Sequence, residues 1–306
     1  MRVVFYILLF CCAFKAPARG QTPDSAIGGI YVEMDEVVVS AIRDGWDADA
    51  FIRRIKTDTT FYKAFRSLRL TNHTATNDIR IQDKRNNTVA SLYSITEQEY
   101  DGRCRSMNVI EEKTTGKFYK RNGSYRYFTA ALYAHLFFTE GKVCGETDII
   151  AGSSEAPGKS KLERSKAQLK QLIFSPGSKI SGVPFMGDKA SLFEPETARM
   201  YDFKLTSVTY AGEHCYLFRA IPKPQHEKDV VFKELSTWFR ASDYSIMARD
   251  YTLSYNTIVY DFDVRMKVRL EPVGDRLLPV RIEYDGNWDV ATQPRERARF
   301  TTTFAY

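Results

Sequence analysis

Much of the usual equipment of an enzyme or a membrane protein is missing from this 306-residue chain. Nowhere does it carry the ~20 consecutive apolar residues that a membrane-spanning helix needs. There is no G-x-S-x-G elbow, no H-E-x-x-H helix and no phosphate-binding P-loop. Histidine is scarce, and His73, His135, His214 and His226 are not spaced with one another as ligand pairs. No cysteine or histidine spacing resembles a zinc site. The composition therefore names no catalytic residue, no metal and no cofactor. A net charge of +6 without a dense basic stripe gives no basis for nucleic-acid binding. One enzymatic alternative stays open, an uncharacterised hydrolase, because paired carboxylates can be distant in sequence.

The longest apolar run is Val3 to Phe14, with Arg2 before it and Ala18-Arg19-Gly20 after it. This is the tripartite pattern of a secretory signal at 1–20, cleaved before Gln21. Phe10 before Cys11, and Cys11 before Cys12, make poor lipidation sites, so the expected product is a soluble exported chain, periplasmic, outer-membrane associated or secreted. Loss of Arg2, Lys15 and Arg19 lowers the net charge to +3. It also removes two of the five cysteines. Cys104, Cys144 and Cys215 remain, and export makes a disulfide feasible. Cys104 with Cys144 is the first pairing to consider, since both flank irregular stretches. Three buried thiols are the alternative.

The order of elements comes from periodicity. Residues 21–29 are polar. Ile30 to Ile42 is rich in β-branched residues and predicts an extra N-terminal strand, so 21–46 reads as a tail plus strand. Asp47 starts a helix whose apolar positions run to Leu68, with 57–60 as an interruption. Strands follow from Ala75 to Tyr119, then a helix at Phe128 to Phe138. A loop at 151–160 precedes a basic amphipathic helix at 161–174. That helix reads as docked on a sheet, with a membrane surface as the alternative. From Tyr201 to Tyr306 there are six or so strands. Phe262, Val264, Met266, Val268 and Leu270 alternate with Asp261, Asp263, Arg265, Lys267 and Arg269, which means one dry and one wet face.

The predicted fold class is α+β, mainly antiparallel β. Short turns between consecutive strands give antiparallel neighbours. A sheet of about eleven strands must curl, so the expectation is a strongly curved half-barrel with two or three helices covering its concave face. It occupies 47–306 as a single domain, with a helical insertion at about 126–190. An integral outer-membrane barrel fits less well, because helical segments interrupt the strands.

Several segments carry a family resemblance. They are Tyr201-Asp202-Phe203-Lys204-Leu205, Gly212-Glu213-His214-Cys215-Tyr216, Leu235-Ser236-Thr237-Trp238-Phe239, Ser245-Ile246-Met247-Ala248-Arg249 and Leu277-Leu278-Pro279. With the helix at 47–68 and the mid-chain helices, the chain resembles the LolA/LolB family of periplasmic lipoprotein carriers and the wider lipoprotein-sorting-like group. The resemblance implies a non-enzymatic envelope protein binding a lipid, a lipoprotein acyl chain or another hydrophobic ligand. Phe232, Trp238, Phe262, Val264, Met266, Ile282, Tyr284 and Trp288 are the candidate lining, with Leu132, Tyr133, Phe137 and Phe138 from the covering helix. The alternative is that these side chains pack a filled core. Met34 to Ala41 also resembles the segment before the plug of SusC-type TonB-dependent receptors. That implies an outer-membrane protein partner paired through the N-terminal strand.

Overall fold

The computed structural model describes residues 25–27, 29–149, 176, 191–256, 260–290 and 293–306. The signal segment, its cleavage site, the loop at 151–160 and the helix at 161–174 lie outside the described residues.

Thirteen strands form one sheet. Two short ones, β1 (Ser25–Ile27) and β2 (Ile30–Met34), come first. The first meander is β3 (His73–Gln82), β4 (Thr88–Tyr100) and β5 (Cys104–Gly116), with β6 (Val143–Cys144) added to its edge. The second meander is β7 (Tyr201–Tyr210), β8 (Glu213–Pro222), β9 (Phe232–Arg240), β10 (Ile246–Asn256), β11 (Tyr260–Val273), β12 (Arg276–Val290) and β13 (Gln293–Ala305). The spatial order is β1-β2-β7-β8-β9-β10-β11-β12-β13-β3-β4-β5-β6. The two meanders meet where β13 pairs antiparallel with β3. Among the described strands the β2–β7 pair alone is parallel. The sheet does not close, which leaves a half-barrel. The count exceeds the expected eleven because β1 and β6 have three and two residues, too few to show a periodicity.

Register explains the core. One row of inward side chains crosses ten strands: Val32, Phe203, Ala220, Leu235, Tyr251, Met266, Tyr284, Phe300, Ile79 and Leu92. All ten are buried. The period-2 alternation read from the sequence aligns across strands, so each pairing extends the dry face.

Helices cover that face. The helical stretch predicted from Asp47 to Leu68, with its interruption at 57–60, is α2 (Ala48–Thr57) and α3 (Thr60–Leu68), parted at Asp58-Thr59. Asp47 caps α2 by accepting the Ala50 N–H at 2.8 Å. Phe51, Ile52 and Ile55 of α2, and Phe61, Phe65 and Leu68 of α3, are buried at helical spacing. Helix α4 (Phe128–Phe137) lacks a local cap. Instead Glu296 of β13 accepts the Phe128 and Thr129 N–H groups at 2.6 and 2.9 Å. A carboxylate at that end also meets the positive pole of the helix. A four-residue helix, α5 (Pro195–Ala198), precedes β7.

One expectation is corrected. The predicted strand over 30–42 stops at Met34, and α1 (Glu36–Arg43) follows. Asp35 decides this. Its Oδ1 accepts the Val38 N–H at 2.8 Å, capping α1, and its Oδ2 accepts the Ser207 N–H at 2.6 Å. Cap and docking outweigh the β preference of Val37, Val38 and Val39, worth only tenths of a kcal/mol each. Residues 36–43 are thus no strand for a partner to pair with. The resemblance to a receptor's pre-plug segment loses its structural basis there.

Candidate ligand-binding interior

Among the described residues, two small cavities lie between the sheet and its helices. A cavity of about 10 Å³ lies where α4 crosses the sheet, lined by Thr129, Leu132, Tyr133, Leu136, Phe137, Met266, Tyr284 and Phe300. A larger one, about 20 Å³, lies under the α2–α3 corner. Each has room for roughly one water.

Five of the sequence-predicted residues, Leu132, Tyr133, Phe137, Met266 and Tyr284, come together round the smaller cavity. Tyr284 stacks on Phe300 with ring centroids 4.6 Å apart, and Tyr133 meets the same Phe300 edge-on at 4.8 Å. Phe262 and Trp288 pair nearby at 5.0 Å. The Trp288 indole N–H donates to the Tyr284 hydroxyl, so neither polar atom is left unpaired. Phe232, Val264 and Ile282 are fully buried in the same core. Phe138 packs against it, partly buried. Trp238 is placed on the other face. It alternates with the inward Thr237 and Phe239, and its ring lies 5.4 Å from Tyr210 and within cation–π reach of Arg269. Trp238 is only half-buried, and β9's parity with its bulges against β10 decides the side.

A second inward row runs beside the first and is partly polar. Met34, Leu205, Phe218, Thr237, Arg249, Val268, Ile282, Thr302, Asn77 and Ser94 follow one another in register. At its far end the Tyr133 hydroxyl reaches both Asn77 Oδ1 and Thr302 Oγ1 at 2.5 Å. Asn77 Nδ2 donates to Ser94 Oγ at 3.2 Å. All four side chains are buried, and burial pushes the Tyr133 phenol well above its ordinary value. Four residues along the same strand, Gln98 donates to the Leu68 and Thr71 carbonyls, each at 3.0 Å.

Midway along the row stands Arg249. Its side chain is 7% exposed. Nε donates to Thr237 Oγ1 at 3.0 Å, the guanidinium lies 4.4 Å over the Phe61 ring, and Nη2 stands 3.9 Å from Asp58 Oδ2. Burial pushes its pKa down, and the Asp58 carboxylate opposes that. The sequence hides this group: in β10 it reads as one more outward charge.

Cys104 and Cys144 form a disulfide across paired residues of β5 and β6. The next residues hold α3. Glu146 pairs with Arg69 at 2.9 Å and with Arg105, and Arg66 donates to the Thr147 carbonyl at 2.6 and 2.9 Å. Cys215 is a free, buried thiol pushed up by desolvation.

For chemistry, one pair stands out that the sequence did not show. Ser207 Oγ and His214 Nε2 are 2.8 Å apart on neighbouring strands. No carboxylate is described on the other imidazole nitrogen to fix its tautomer, and the pair lies beside no described cavity. His214 and the adjacent Cys215 face opposite ways, exposed and buried. No cluster of metal-ligating residues occurs among the described residues. No helix among them is long and apolar enough to cross a membrane.

No protein-family model matches the chain, and no curated protein does. Three solved structures are similar in outline. A domain described as an outer membrane lipoprotein-sorting protein, from Vibrio parahaemolyticus, is 10% identical, covering 84% of this chain and 88% of its own, with a TM-score of 0.26. A LolA superfamily protein from Nitrosomonas europaea is 8% identical over 81% and 90%, TM-score 0.25. A DUF1329 family protein from Desulfovibrio piger is 9% identical over 80% and 88%, TM-score 0.24. These values mark a distant likeness. The fold described above rests on strand order and register.

Proposed function

We propose that this protein is a non-enzymatic carrier of the cell envelope that holds a lipid, a lipoprotein acyl chain or another hydrophobic ligand between its sheet and its covering helices. The observation that carries the reading is the open, curved sheet whose ten-residue apolar row is covered by short separate helices. The two cavities beneath them mark where packing is incomplete. An acyl chain entering there would gain about 0.8 kcal/mol per buried CH₂. Each described cavity has room for about one water, so a helix shifts for the chain to enter, and α2 is the candidate to move. It is held mainly by Phe51, Ile52 and Ile55, whereas α4 is bonded by Tyr133 and Glu296. The Cys104–Cys144 disulfide supports an oxidising compartment, as export predicts.

The test is mass spectrometry of organic extracts from purified protein, with titration of a fluorescent fatty acid. Co-purifying lipid and saturable binding are expected. Absence of both would sink the carrier role.

A further inference from the structure

Two arginines are buried among the described residues, and they are treated differently. Arg105 is held by Glu146 through Nε and Nη2 and by Thr139 through Nη1, so its donors are spent on the protein. Arg249 meets its acid only at 3.9 Å, beyond hydrogen-bond reach, and its described hydrogen bond is to a neutral hydroxyl. Asp58 is meanwhile engaged elsewhere. It accepts from the Thr60 hydroxyl at 2.6 Å and from the Thr60 and Phe61 N–H groups at 3.3 and 3.5 Å, capping α3. The 20 Å³ cavity lies between these groups. Lys56 and Arg249 both line it, and the rest of the lining includes Ile55, Phe61, Phe218 and Leu235. The site thus joins two cations to an apolar wall, with one carboxylate already inside.

Resting on the carrier reading, we propose that the α2–α3 corner is a head-group site: Arg249 binds the anionic head, carboxylate or phosphate, of a single-chain amphiphile, in competition with Asp58. A buried guanidinium needs an anion. The head group supplies one that makes charge-assisted hydrogen bonds Asp58 does not make. Asp58 can turn outward, because Thr57, Thr59 and Thr60 beside it are exposed. A carboxylate then replaces a carboxylate, so the exchange needs little added volume. The alkyl chain continues along Phe61 and Leu235.

The experiment measures displacement of the neutral fluorophore N-phenyl-1-naphthylamine by palmitic acid, palmitoyl lysophosphatidate and hexadecanol. The full protein is compared with Arg249→Met and Asp58→Asn. A charge-assisted hydrogen bond predicts that the anions bind about tenfold or more tighter than the alcohol. Arg249→Met should bring all three to the alcohol's affinity, and Asp58→Asn, which keeps the cap, should tighten only the anions. The stronger anion identifies the head group. Equal binding of acid and alcohol overturns the head-group site and leaves the carrier standing, as does an acid preference that survives Arg249→Met. Should Arg249→Met fail to fold, unchanged or weaker anion binding by Asp58→Asn overturns it instead. If neither fluorophore nor any amphiphile binds, the carrier reading itself falls.

Discussion

The concave face is built in two ways. From β7 to β12 it is aromatic and aliphatic, interrupted by one buried charge, Arg249 with Thr237 beside it. From β13 to β5 the apolar row is flanked by Thr302, Asn77, Ser94, Thr96 and Gln98, all buried. These join Tyr133 of α4 and the end of α3 in hydrogen bonds. Apolar contact is non-directional and allows neighbours to slide or be replaced. A buried hydrogen-bond network has one satisfied arrangement, and leaving it strands polar groups away from water. The polar half therefore fixes its helix, while the dry half is where a ligand could exchange with protein side chains.

The largest expected effect lies at the polar half's outer edge. Replacing Cys104 and Cys144 by serine opens a loop of sequence separation 40. Loop entropy predicts a loss of about 4 kcal/mol, read from urea unfolding. A loss under about 1 kcal/mol would mean that the ion pairs of Glu146 hold that edge unaided.

A paired substitution tests the contrast directly. Asn77→Leu preserves size but removes one of the two partners of the Tyr133 hydroxyl and the donor to Ser94, and should cost about 2–4 kcal/mol. Met266→Leu in the dry half should cost less than about 1.5 kcal/mol. Equal costs would erase the distinction between the halves.

The smallest effect is a pH dependence in the polar half. His73 is 5% exposed and its Nδ1 lies 2.9 Å from the Thr71 carbonyl, which fits a neutral ring donating there. Burial lowers its pKa, with the Thr71 bond opposing and Arg105 adding. The unfolded chain then takes up a proton at higher pH than the folded one. Stability from this group is full above the ordinary value of 6.5 and declines as pH falls below it. The slope is at most about 1.4 kcal/mol per pH unit. His73→Gln should flatten it; an unchanged slope between pH 7 and 5 would assign the effect elsewhere.

Legibility followed the same division. In β11 each inward apolar residue alternates with a charge, so both strand and face could be read from Phe262 to Leu270. Asn77 and Thr302 are as polar as surface residues and sit in strands whose outer faces are polar too. Nothing local marks them as buried. Trp238 shows the converse, a large apolar residue that a bulged pairing turns outward. The α1 segment failed for another reason, because its three valines favour a strand and only Asp35 docking on Ser207 selects a helix.

What the sequence by itself determined is the class: an α+β chain with antiparallel meanders, one dry face and helices to cover it. Periodicity and turn chemistry are local, and local order needs no knowledge of the whole. Only the tertiary structure decided that β13 joins β3, that β2 pairs in parallel with β7, and that Arg249 faces Asp58 inside. Those are contacts between residues far apart in the chain. Their energy depends on register and burial, which exist only once the sheet has curled.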